Sequence, residues 1–118
     1  MEVRLLEPEF EVIGKVCDGQ ALFEEGMRLK PDVIVSDISM PILNGIDAAE
    51  RLKESGCNSR IVFLTIHSDA EFVRRCLFAG AFGYVLKSRM ANELVLAIRA
   101  ALAGNIFVSR QLPDHNEA

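Results

Sequence analysis

Three residues in this chain could act together on phosphorus: Asp37, Thr65 and Lys87. Each follows a short apolar run: Val33-Ile34-Val35 before Asp37, Ile61-Val62-Phe63-Leu64 before Thr65, and Tyr84-Val85-Leu86 before Lys87. Runs of this length read as strands buried on both faces, the kind found in the middle of a parallel sheet. The carboxyl edge of an open α/β sheet is where its ligands bind. An acid, a hydroxyl and an ammonium converging on that edge suit attack of the carboxylate on phosphorus, with the other two groups stabilising the added oxygens. Each residue alone has a plainer explanation. Asp37 is also a suitable Asx turn cap, Thr65 a strand-end hydroxyl that caps the next turn, and Lys87 a solvated charge. Their common placement at strand ends favours the chemical reading.

The elements that would position them alternate along the chain. Met1–Leu6 fits a strand or one turn of helix, and Pro8 ends it by biasing Glu7 away from helix. Phe10–Val16 reads as a strand. Asp18-Gly19 opens a helix that Lys30-Pro31 closes, with Ala21, Leu22, Met27 and Leu29 fitting the helical period loosely. The strand Asp32–Ser36 follows. Asn44, with Asp47 three residues on, is an N-cap arrangement. Ile46, Ala49 and Leu52 form that helix's buried face, and Gly56 ends it. After the strand Arg60–Thr65, Ser68-Asp69-Ala70-Glu71 reads as a capping box. Phe72, Val73, Cys76, Leu77 and Ala79 are the core stripe of this helix, and Gly80 its end. Ala81–Leu86 is a strand. Met90–Ala103 is the last helix, with Leu94, Ala97, Ile98, Ala101 and Leu102 facing inward. A polar tail runs from Asn105 and frays toward its end. Alternation of this kind predicts an α/β fold, a doubly wound parallel sheet with helices on both faces.

Length and composition narrow the classes. The 118 residues suffice for one domain, 1–109, with a tail at 110–118. Half of the residues are hydrophobic, while the lack of Trp and the single Tyr make the core aliphatic. A net charge of −4 argues against a nucleic-acid surface. No apolar run is long enough to span a membrane, and the first residues lack the regions of a signal peptide. Three cysteines without C-x-x-C spacing read as reduced thiols in a cytoplasm, with Cys17 and Cys76 acting as small core hydrophobes. His67, two residues past Thr65, reads as a surface loop histidine rather than a ligand.

The motifs V-S-D-I-S-M-P-I-L-N-G (35–45), F-L-T-I-H (63–67) and G-Y-V-L-K (83–87) resemble those of receiver domains from two-component response regulators, in that family's order and spacing. The subfamily joined to a helix-turn-helix output domain is the nearest likeness, over about Leu5 to Ser109. The resemblance implies a flavodoxin-like fold and a phosphoryl group passed to Asp37 from the phosphohistidine of a sensor histidine kinase. It implies Thr65 as the switch hydroxyl, Lys87 as the phosphate-pairing lysine and Tyr84 as the aromatic that moves inward. The backbone carbonyl of Ser39 matches a ligand of Mg2+, and Pro41 and Gly45 match the loop that shapes the site. Ile106-Phe107-Val108-Ser109 resembles the start of the linker to an output domain, so nucleic-acid binding is not expected of this chain. The helices starting at Ser68 and Met90 correspond to the family's output surface.

One departure stands out. The family opens with a strand ending in two acidic residues that hold magnesium. Here the chain opens at what resembles the last turns of the first helix, Val3-Arg4-Leu5-Leu6, and Glu2, Glu7, Glu9 and Glu11 lack the right context. The sequence therefore reads as truncated at the N-terminus, with the central first strand missing or replaced. With Asp37 alone, magnesium binding is expected to be weak and phosphotransfer slow or absent. The missing strand would leave a slot of roughly 10 Å between Phe10–Val16 and Asp32–Ser36. Direct closure of the slot, occupation by Met1–Leu6, or exchange of an element with a second molecule would fill it. A homodimer is the favoured expectation, driven by unpaired backbone and apolar side chains. The expected role is a phosphoacceptor signalling module, at most self-dephosphorylating, rather than an enzyme. Two alternatives stay open: a phosphorylation-independent dimeric interaction module, and an aspartyl-phosphate phosphatase. Ser39 stands where haloacid-dehalogenase-like phosphatases need a second Asp. Flavin binding lacks a phosphate-cradling loop of Gly, Ser and Thr after a strand.

Overall fold

A computed structural model describes residues 18–38, 44–66 and 70–109. The expected elements at Met1–Leu6 and Phe10–Val16, the slot beside them and the capping box at Ser68 lie outside the described residues. So do Ser39, Pro41, His67 and the tail beyond Ser109.

Helix α1 (Gly19–Leu29) starts where expected, because the Asp18 carboxylate accepts a hydrogen bond from the Ala21 N–H at 2.7 Å. Lys30 closes it in a left-handed conformation, φ 47°. Strand β1 (Val33–Asp37) follows and includes Asp37 as its last residue, one position further than the sequence pattern placed the strand end. Asn44 caps α2 (Gly45–Glu54), its side-chain oxygen accepting from the Asp47 N–H at 2.9 Å. Strand β2 (Arg60–Thr65), helix α3 (Ala70–Phe78), strand β3 (Gly83–Leu86) and helix α4 (Met90–Leu102) complete the alternation. A single 3-10 turn, Lys87–Arg89, links β3 to α4.

All pairings among the described strands are parallel, in the order β1, β2, β3 and then a short strand at the end of the described chain, β4 (Phe107–Val108). This last strand corrects the expectation of a polar tail from Asn105. Phe107 pairs with Gly83 and Val108 with Tyr84, so the chain adds two residues to the sheet before it leaves.

The sheet buries both faces, as its apolar runs require. On one face Ile34, Ile61, Phe63 and Tyr84 meet α1, α2 and α3 through Leu22, Ile46, Leu52, Val73 and Cys76. On the other, Val62, Leu64 and Val85 meet Leu94, Ala97, Ile98 and Ala101 of α4. Helices on both faces of a parallel sheet make this the doubly wound, flavodoxin-like arrangement. Three positions expected in the core lie further out. Leu102 is exposed at the end of α4, and Phe72 and Leu77 are only partly buried. At Leu102 the helix is ending, so the stripe has run past the sheet edge that it covers.

Candidate functional site

Asp37, Thr65 and Leu86 are the last residues of their strands, so parallel pairing delivers all three to one edge. Register aligns Asp37 with Leu64 and Thr65 with Leu86. Lys87, the first residue of the 3-10 turn, then reaches back along the edge, and its Nζ lies 3.1 Å from Asp37 Oδ1. Fifty residues of sequence separate these two charges; the order of the strands brings them together. The Asp37 side chain retains 35% of its exposure and that of Lys87 46%, so the pair faces solvent and an incoming anion can reach it.

Thr65 is buried, and so is Tyr84. Alternation along the strands places Thr65 on the same face as Phe63, Tyr84 and Leu86. The hydroxyl and the aromatic thus share a face, and Tyr84 already lies inward as part of the core.

The opposite wall of the site is the junction of β1 with α2. The buried Ser36 hydroxyl donates to the Asp37 carbonyl oxygen at 2.8 Å, and the Gly45 N–H donates to the Ile38 carbonyl at 2.7 Å. These bonds draw the start of α2 against the backbone of the acid. A Cβ on Gly45 would overlap the Asp37 carbonyl oxygen and lie 3.0 Å from Ser36 Oγ. Only glycine allows that close approach.

A magnesium ion of the kind the resemblance implies needs several oxygen ligands, one or two of them carboxylates. Among the described residues no group of three or more His, Cys, Asp or Glu stands together, and Asp37 Oδ1 is already engaged by Lys87. The described residues on their own do not fit such an ion.

Three residues near this edge escaped the sequence reading: Ser36, Glu93 and Ser109. For Glu93 a signal existed, since it lies four residues before Ala97 on the inward stripe of α4, an unusual place for a charge. Ser36 and Ser109 carry none, because a serine at a strand end is ordinary.

A family profile described as the response regulator receiver domain matches residues 1–99. The transcriptional regulatory protein DesR of Bacillus subtilis is 37% identical over 109 residues, 92% of this chain and 54% of that protein. DegU of Brevibacillus brevis, also a transcriptional regulatory protein, is 36% identical over 111 residues, 94% of this chain and 47% of that one. The chain spans about half the length of these curated relatives. Among solved structures, a LuxR-family two-component response regulator from Aurantimonas sp. superposes with a TM-score of 0.87 at 33% identity, covering 92% of this chain and 79% of that one. The signal receiver domain of the response regulator NarL from Mycobacterium tuberculosis gives 0.82 at 28% identity, covering 87% and 85%. No helix among the described residues is long and apolar enough to cross a membrane.

Proposed function

This chain belongs to the response regulator receiver domain family, and on that premise we propose that Asp37 accepts a phosphoryl group from the phosphohistidine of a sensor kinase. A carboxylate oxygen of Asp37 attacks phosphorus; the new P–O bond forms as the P–N bond to imidazole breaks, and the electron pair leaves with the imidazole nitrogen. The Lys87 ammonium balances charge on the phosphoryl oxygens as it arrives. Thr65 supplies the hydroxyl that closes on those oxygens, and Tyr84 fills the face behind it. The single observation that carries this reading is the Asp37–Lys87 contact of 3.1 Å at a solvent-facing sheet edge.

Slow transfer is expected of this polypeptide, since Asp37 is the one carboxylate that the family resemblance assigns to magnesium here and the ion needs more. Incubation with a small phosphodonor such as acetyl phosphate, with magnesium in excess, tests both points by intact mass and peptide mapping. One phosphoryl group on Asp37, acquired slowly and lost in Asp37→Asn, is the expected result. No mass gain at any magnesium concentration overturns the acceptor role and leaves an interaction module of the same fold. Continuous release of phosphate over many turnovers indicates a phosphatase instead.

A further inference from the structure

Glu93 carries a charge on the buried face of α4, only 5% exposed. A buried carboxylate is strongly unfavourable unless hydrogen bonds compensate it. Both oxygens are engaged. The Ser109 hydroxyl donates to Oε1 at 2.6 Å, and Arg89 Nε donates to Oε2 at 2.8 Å. Ser109 is itself buried, at the point where the chain leaves β4. Its backbone N–H donates to the Tyr84 carbonyl at 3.0 Å, and its Oγ accepts from the Leu86 N–H at 3.0 Å. A hydroxyl has one donor and two acceptor sites. Spending the donor on an anion leaves the lone pairs for Leu86 and strengthens them as acceptors.

The consequence is local to the site. Leu86 immediately precedes Lys87, and Arg89 follows it by two residues. Both are tied to the same carboxylate, one through Ser109 and one directly. Between these two ties the backbone makes the 3-10 turn that aims Lys87 at Asp37. A carboxylate serving only to end the sheet would have no need to hold both sides of this one residue.

We propose that Glu93 and Ser109 form a clasp that positions Lys87 at the phosphoryl site. The proposal rests on the reading of Asp37 and Lys87 given above. Glu93 and Ser109 are positioning residues; neither touches the reacting atoms.

The test reads Lys87 directly. An ammonium held against a carboxylate is acylated more slowly than a free one. Acetylation by a water-soluble N-hydroxysuccinimide ester is followed by mass spectrometry at Lys87, with the exposed Lys30 and Lys53 as references in the same molecule. Asp37→Asn sets the fully released rate. Ser109→Ala is expected to raise the Lys87 rate several-fold relative to the references, and Ser109→Thr, which keeps the hydroxyl, to restore it. Glu93→Gln, whose single amide oxygen cannot serve both partners, is expected to act in the same direction and covers the case in which Ser109→Ala fails to fold. Leu22→Ala, which loosens the opposite face of the sheet, is expected to leave the ratio unchanged. If Asp37→Asn releases Lys87 but the clasp variants do not, the clasp is refuted while the site reading stands. An equal rise in Leu22→Ala also refutes it, as general loosening. If Asp37→Asn changes nothing, Lys87 is not held at Asp37 and both readings fall.

Discussion

Replacing Gly45 by alanine probes the site through its backbone. Helix propensity alone favours the change by about 1 kcal/mol. The new Cβ, however, would overlap the Asp37 carbonyl oxygen and lie 3.2 Å from the carbonyl carbon. Comfortable carbon–oxygen separation is roughly 3.3 Å, so relief needs a displacement on the order of 1 Å. The obstacle is main chain at the end of β1, so no side-chain rotation supplies that movement. Overpacking of this kind costs about 1–3 kcal/mol. The net loss should be about 0–2 kcal/mol, a fall in Tm of up to about 10 °C. The same displacement would stretch the Asp37–Lys87 contact from 3.1 Å to ~4 Å, outside hydrogen-bonding range. Thermal unfolding followed by circular dichroism measures the first effect, and the rate of phosphodonor labelling at Asp37 the second. Gly26→Ala is the contrast. There the Cβ would meet Leu52 Cδ2 at 2.9 Å, the movable tip of a side chain, so stability should stay within about 1 kcal/mol of the parent. A Gly45→Ala protein as stable as the parent, with unchanged labelling, would refute the claim that glycine is required for this approach.

Four further outcomes follow from the same structure. Arg60 Nη1 donates to the Ala101 and Leu102 carbonyls at 3.0 and 2.9 Å, and its guanidinium lies 5.4 Å from the Phe82 ring centroid. Arg60→Ala should therefore lower stability by about 1–2 kcal/mol in denaturant titration, through loss of a charged cap at the end of α4. Burial pushes the Cys76 thiol up to about 12 from 9.0, against a smaller opposing pull from the Arg75 guanidinium. Iodoacetamide should thus modify the partly exposed Cys57 well before Cys76. As pH rises from about 9 toward about 12, the unfolded thiol gives up a proton that the folded one keeps, so stability falls over that window. Cys76→Ala should flatten the fall in a pH series of unfolding curves. Finally, the Asp37–Lys87 pair is half-exposed, and Asp37→Asn or Lys87→Ala should change stability by less than about 1 kcal/mol. A larger loss in denaturant titration would show that the pair holds the fold together rather than serving chemistry.

Local signals in the sequence determined much of this protein. Asp18 and Asn44 mark the helix starts because their side chains satisfy backbone donors within three residues. Gly56, Gly80 and Gly104 mark helix ends because each adopts the positive φ that terminates a helix. The apolar runs before Asp37, Thr65 and Lys87 announce buried strands, and with them the edge on which all three residues fall. What the sequence left undecided was set at a distance. The Asp37–Lys87 contact depends on β2 lying between β1 and β3, a pairing fixed by packing on two sheet faces rather than by any nearby residue. The addition of Phe107-Val108 to β3, and the burial of Glu93 with Ser109 beneath it, depend equally on residues far apart in the chain. Short-range patterns record whether a position is covered. Which group covers it is decided only when the sheet assembles.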